Sequence, residues 1–426
     1  MTDTLHLDIL PYEVLLMIFD YCDAFDLVRL SEVCKRFYEI VQSDAAWIKK
    51  NRGLFVTNQT SERFRQRCNP ILSPRTMWLV SYNWQYGRYH KYIVISNKVK
   101  VMPWLQMTND TLWWSGGSQL YGVKRNLNHF KNKVNVEPNH NIVFYNYYNK
   151  IRGVDICKFV LCENFIISGH SNGDIQYWVE PKKSYPCVVK ILKCVHSCDI
   201  NGIGATSQNI ISGSVDGMIK IQKNVDIEES NFDKNEISID FMNKIDRVQS
   251  LAIDPTGMQF AVGSSGTTNI PPLHLINIET LKRYAMFDEI RYPWRHGAGI
   301  LDMVWDNPQT LFTCGYDTCV RKWDLRIEKC VGSWADPNDA GLYCISSDYQ
   351  YNIITGTQHC GAAVLWDQRM RNFVQLYYMN SQMSNSPIYS LQFDSSHLYC
   401  ALDRDLVKLS FSSGQPFVRC NYKQLY

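Results

Sequence analysis

The sequence predicts a mainly β protein, a propeller of four-stranded blades preceded by a small all-α module and a short helical linker. Two observations carry this. An apolar pair three residues apart, followed by a second strand and a tight turn, recurs about every 40–50 residues, the period of propeller blades. Residues 1–50 instead place apolar side chains at helical spacing.

The helical module comes first. Pro11 suits a first helical turn, where its missing N–H would be unpaired anyway, and Val14, Leu15, Ile18 and Cys22 follow at helical spacing. Asp23 can cap a second helix that carries Leu27 and Leu30, and Val33, Cys34, Phe37 and Val41 make the stripe of a third. So short a module cannot hide all of these side chains by itself, which implies a partner surface.

This stretch resembles the F-box. The resemblance rests on Leu10-Pro11-Tyr12-Glu13, Ile18-Phe19, Asp26-Leu27, Val33-Cys34-Lys35-Arg36-Phe37 and the later Trp47. In that family the helices pack into a groove on the Skp adaptor of a cullin-based ubiquitin ligase, a helix-in-groove mode of recognition. The resemblance therefore implies Leu10, Pro11, Leu15, Ile18, Leu30, Val33, Cys34 and Phe37 as adaptor contacts, with Glu13 nearer the rim.

Residues 51–98 form the linker, with a helical stretch from Ser61 to Arg67 and an aromatic-rich part from Trp78 to Tyr92. A floppy linker would be richer in Gly and Ser.

The repeats occupy residues 99–426. Their apolar pairs are Val154 and Cys157, Ile200 and Ile203, Val248 and Leu251, Leu301 and Val304, Leu342 and Ile345, Ile388 and Leu391, with Trp104 and Met107 opening the series. Asn172-Gly173 and Asp216-Gly217 are hairpin signals after second strands. Third strands end at Trp178, Gln222, Trp323 or Trp366, and seven blades result.

Trp323-Asp324 and Trp366-Asp367 make this region similar to the WD-repeat β-propeller. That family joins a His, a Ser or Thr, an Asp and a Trp by hydrogen bonds within a blade. His196, Ser212 and Asp216 match in one blade, with Gln222 in the Trp position, and His296, Thr313, Asp317 and Trp323 match in another. The blade from 168 to 178 departs, with Asn172 for Asp and Arg152 near the His position, and is expected to lean more on apolar packing.

Composition bounds the function. A net charge of +3 on 426 residues gives no argument for nucleic acid or an anionic membrane surface. No apolar run is long enough to span a bilayer, and the first residues lack a signal peptide's basic and apolar regions. A cytoplasmic or nuclear location is expected, with the 15 cysteines reduced and mostly buried. Cys194, His196 and Cys198 alternate, but His196 has the WD role, so neither a metal site nor any other cofactor is expected. Gly169-His170-Ser171-Asn172-Gly173 spells a hydrolase motif, yet it falls in a hairpin turn where the nucleophile's strand-to-helix elbow is not available. The chain is expected to be non-catalytic.

An F-box, a linker and a WD propeller in this order make the chain similar to the F-box/WD-repeat substrate receptors. It is nearest their dactylin subgroup through residues 83–88, 102–104 and 315–326. The resemblance implies a substrate-recognition subunit of a Skp-cullin-F-box ubiquitin ligase that binds an unidentified protein substrate. The alternative is an assembly scaffold without a role in ubiquitin transfer. Relatives hold phosphorylated segments with arginines on the propeller face formed by the loops before each first strand and by the hairpin turns. The candidates here are Arg152, Arg247, Arg291 and Arg295, with Trp294 as an aromatic anchor.

Overall fold

The computed structural model describes residues 7–51, 55–56, 59–97, 100, 103–125, 154–162, 165–179, 187–223, 239–241, 246–267, 271–287, 299–379 and 386–412, without the side chains of 187–189, 239–241 and 284–287. It divides into two compact units. One takes Met1–His90 with Asp394–His397 and Ser410–Tyr426, and the other takes Lys91–Phe393 with Leu398–Leu409.

The first unit contains helices α1 (Tyr12–Phe19), α2 (Ala24–Leu30), α3 (Lys35–Gln42), α4 (Ala45–Ile48), α5 (Glu62–Arg65) and α6 (Pro74–Gln85). Pro11 is the residue before α1, where its fixed φ of −53° and extended ψ launch the helix. Asp23 caps α2 by accepting from the Asp26 N–H at 2.7 Å. Cys34 holds the same position on α3, its sulfur 3.5 Å from the Phe37 N–H. Val33 therefore lies in the turn before α3 and not on its stripe.

The core of α1 to α4 is Leu15, Phe19, Leu27, Phe37, Ile40, Val41 and Trp47, with Phe19 and Phe37 edge to face at 5.4 Å. The Trp47 indole donates to the Val41 carbonyl at 2.8 Å, which satisfies the one polar atom that so large a buried ring brings inside. Trp84 of α6 stacks on Phe411 at 3.6 Å and donates to the Ser395 carbonyl at 3.0 Å. The Asn83 side chain donates to the Phe411 carbonyl.

The second unit is a propeller of seven sheets, six with four strands and one with three described strands. The inner strands are Leu105–Met107 in blade 1, Ile156–Leu161 in blade 2, Ile200–Ala205 in blade 3, Val248–Ile253 in blade 4, Ile300–Asn307 in blade 5, Leu342–Ser347 in blade 6 and Ser390–Phe393 in blade 7. Each neighbours the next, and blade 7 returns to blade 1, so they form a closed ring. The outer strand of blade 7 is His90–Ser96, from the stretch assigned to the linker by sequence. A strand that precedes the repeat region thus joins the sheet of the last blade and ties the two ends of the described ring together.

The three-residue spacing of the apolar pairs has a cause. A strand alternates sides every residue, so positions three apart should face opposite ways. In blades 2 to 6 the pairing slips next to the first residue of the inner strand, and this bulge turns positions one and four to the same side. Two expected pairs are corrected by this register. In blade 2 the first and fourth positions of the inner strand are Ile156 and Phe159, with the expected Val154 buried just ahead of the strand and Cys157 half-buried, and blade 5 buries Ile300 and Met303 where Leu301 and Val304 were expected.

The buried hydrogen bonds of the WD pattern are present. Trp323 donates to Thr313 at 3.0 Å, Trp366 to Thr355 at 2.9 Å and Trp178 to Ser168 at 2.8 Å, and His196 Nε2 lies 2.8 Å from the Ser212 hydroxyl. His296 lies outside the described residues. Blade 2 corrects the expectation of a thinner network. His170, two residues along the same strand, brings its Nε2 to 2.9 Å from Ser168, so an imidazole reaches the serine by another route. Burial lowers its pKa to about 4, which keeps the ring neutral.

Candidate functional site

Two surfaces remain for function, one in each unit. In the first, the short helices leave apolar side chains that their own core does not cover. Met17 is 65% exposed and Val33 67%, and Leu7, Ile9, Tyr12, Val14 and Ile18 are also exposed. Isolated exposed apolar residues are ordinary, but this many on about forty residues mark an interaction surface.

The nine residues expected to meet an adaptor separate by burial. Pro11, Glu13, Ile18 and Val33 are exposed, and Leu10, Leu30 and Cys34 are half-buried. Leu15 at 0% and Phe37 at 6% exposure belong to the core. Their role is packing, because helices this short must spend their inward positions on one another before any partner arrives. The turn before α1 is pinned by Arg36, whose guanidinium donates to the carbonyls of Asp8 and of Leu10, the latter at 2.5 Å. Arg36, Val14 and Met17 are absent from the expected set. Val14 and Met17 could have been found by reading the polar-looking side of α1 for exposed apolar residues.

In the propeller, Arg247 is exposed just before the inner strand of blade 4, with its backbone N–H on the Asp246 carboxylate and its carbonyl taking the Ser265 N–H. The other substrate-face candidates, Arg152, Arg291, Trp294 and Arg295, lie outside the described residues. What the structure does place on this face is a group of tyrosines that sequence reasoning passed over. Tyr343 and Tyr389 are the second residues of equivalent strand entries in blades 6 and 7, and Tyr316 stands in the hairpin of blade 5. Tyr316 and Tyr343 meet edge to face at 5.9 Å, and Tyr343 and Tyr389 are 6.0 Å apart. Burial raises the phenol pKa of both Tyr343 and Tyr389, assisted by Tyr316 for the first and by Asp403 for the second. Tyr389 donates to Asp403 at 2.7 Å, and Lys100 pairs with the same carboxylate at 2.7 Å.

Next to these strand entries a charged pair crosses the ring. Lys158 of blade 2 reaches to 3.5 Å from Asp302 of blade 5, on the far side of the ring, and its ammonium lies 4.0 Å from the centre of the Trp104 ring of blade 1. Asp302 also accepts from the Ile345 N–H of blade 6 at 3.1 Å. Burial raises the Asp302 pKa, opposed by Lys158 and by these N–H bonds.

The groups that suggested chemistry do other work. The Ser171 hydroxyl accepts from the Asp155 N–H at 3.0 Å, while its neighbour His170 is engaged by Ser168. His196 turns to Ser212 with Asp216 at 3.8 Å, so it is not shared with Cys194 and Cys198. Among the described residues no three His, Cys, Asp or Glu side chains group so as to hold a metal ion. No described helix is long and apolar enough to cross a membrane.

The F-box-like family matches residues 7–52, the stretch that forms α1 to α4. F-box/WD repeat-containing protein 4 of Homo sapiens is 28% identical over 411 residues, 95% of this chain and 92% of the human protein. Its Mus musculus counterpart is 28% identical over 413 residues, 95% of this chain and 93% of the mouse protein. The helical module and the seven-bladed ring stand in the same order in this chain. An F-box-like module followed by a seven-bladed propeller is similar to what the name of these relatives describes. The two surfaces fall one to each part: the apolar helix face to the F-box-like module, the tyrosine-rimmed mouth to the propeller.

Proposed function

We propose that this protein is the substrate-recognition subunit of a Skp-cullin-F-box ubiquitin ligase, with its F-box docked on the Skp adaptor and its propeller holding the protein to be ubiquitinated. The observation that carries the reading is the uncovered apolar face of α1 and of the turn before α3, on a module whose own core is already complete. An amphipathic helix face of this kind is what a hydrophobic groove receives.

The mechanism is positional. A substrate held on the same assembly as a charged ubiquitin carrier presents its lysines at high effective concentration, and the bond-making groups belong to other subunits. The chain contributes a helix face, a propeller face and the covalent link between them.

The test is made in cells. Proteins that accumulate when the chain is depleted should be captured by the full chain, and they should fall again on re-expression of the wild type but not of Met17→Asp/Val33→Asp. Substrates that fall equally with both versions would remove ubiquitin transfer from the account and leave a propeller scaffold.

A further inference from the structure

We propose that the mouth of the propeller receives a segment carrying lysine or arginine side chains, held between the tyrosines of blades 5 to 7 and the aspartates of blades 2 and 3. The inference rests on the reading of the propeller as the substrate-binding end and names the chemistry of what binds there.

The aromatic wall comes first. Tyr316 and Tyr343 stand at 90° to one another, and Tyr343 and Tyr389 at 56°. An edge-to-face contact covers one face of one ring and leaves its other face to its surroundings. All three tyrosines are half-buried, so part of each ring is open to a ligand at the surface. The face of a tyrosine attracts a cation within about 6 Å of the ring centre, and arginine and lysine are its usual partners in proteins.

The charged wall stands across the ring. Asp155 and Asp199 directly precede the inner strands of blades 2 and 3, and both are exposed. Neither carboxylate has a hydrogen-bond or ion-pair partner among the described residues, although each backbone is fixed. The Asp155 carbonyl takes the Ser171 N–H, and the Asp199 carbonyl takes the Val215 N–H. Burial, and then the charges of Asp199 and Asp155, push the Cys157 thiol up to about 12. Two exposed carboxylates with no partner among the described residues, on the same rim as the half-buried tyrosines, complement a positive segment.

The same arrangement disfavours a phosphorylated one. A phosphate carries nearly two negative charges and would face Asp155 and Asp199, with Arg247 and, in the hairpin of blade 7, Arg404 the exposed arginines described on this rim. Lys100 is already engaged by Asp403. The ion pair of Lys158 and Asp302 spans the ring beside this rim, and the ligand is proposed to lie across the mouth above it.

The experiment uses the full chain and two labelled peptides of equal length, one with an Arg-Lys-Arg centre and one with a phosphoserine-Glu-phosphoserine centre, titrated by fluorescence anisotropy. The cationic peptide should bind at least about tenfold more tightly. Asp155→Asn/Asp199→Asn should weaken it without changing the melting temperature, as both side chains are exposed. Tyr343→Leu should cost about 3- to 30-fold in affinity, while Tyr343→Phe, which keeps the ring, should retain most of it. Tighter binding of the phosphorylated peptide, binding of neither peptide, or an unchanged affinity in the aspartate variant would each overturn the proposal. Adaptor capture by the same preparations separates the two readings. A chain that captures adaptor and ignores the cationic peptide sinks this inference alone, and one that binds the peptide without adaptor sinks the ligase reading alone.

Discussion

Leu15 and Ile18 stand three residues apart on α1 and have opposite environments, one closed inside the core of the helical module and the other open at the surface. Leu15→Ala should therefore destabilise the first unit by about 2–5 kcal/mol, read by chemical denaturation. Val33→Asp should change stability by no more than about 0.5 kcal/mol while weakening the proposed adaptor binding. Sequence showed that both kinds of residue were present but not how they were shared out. On an eight-residue helix the inward and outward apolar stripes nearly touch, and only packing against Phe37 and Trp47 decides between them. His170 offers a second test at this scale. Its folded pKa of about 4 lies below the ordinary 6.5, so its contribution to stability is intact above pH 6.5 and is lost as the pH falls toward 4. Between pH 6.5 and 5 the wild type should lose about 1.4 kcal/mol per pH unit through this one ring. His170→Asn should flatten the slope of stability against pH by that amount, and an equal slope in both proteins would contradict the buried, neutral assignment.

At the scale of elements, the hairpins and the bulges set the blade. Gly173 has φ +82°, and a Cβ there would come within 1.9 Å of the His196 carbonyl oxygen in the next blade's entry. Gly257 has a similar φ of +72° but would meet only the Thr206 methyl at 3.5 Å. Gly257→Ala should accordingly cost about 1 kcal/mol for the backbone alone, and Gly173→Ala clearly more, in thermal melts of the two variants. The turns were legible because Asn-Gly and Asp-Gly carry their conformation in their composition. The register of blades 2 and 5 was not. Ile156 and Val154 are both apolar, both buried and two apart, and which of them opens the inner strand depends on pairing with a strand further along the chain. The tyrosines at the mouth escaped notice for a related reason. Nothing local marks Tyr316, Tyr343 and Tyr389 as neighbours until three blades bring them together.

Across the whole molecule, the blade count and the order of F-box before propeller were readable, because a repeat announces itself by its period. The cross-ring pair was not, since Lys158 and Asp302 each look like an ordinary strand charge until closure sets them 3.5 Å apart. Both are almost fully buried. Asp302→Asn should thus cost about 3–5 kcal/mol by leaving a buried ammonium without its counter-charge, and Lys158→Met added to Asp302→Leu should recover most of that loss. Equal stability of the single and double variants would contradict the burial of the pair.

The account stands on the F-box face as an adaptor surface. Its most direct measurement is binding of the purified full chain to purified Skp adaptor, beside Met17→Asp/Val33→Asp with its melting temperature checked. The wild type should bind and the double variant, equally folded, should not. Equal binding by both, or binding by neither, would contradict the claim that this uncovered apolar face is the chain's link to a ligase.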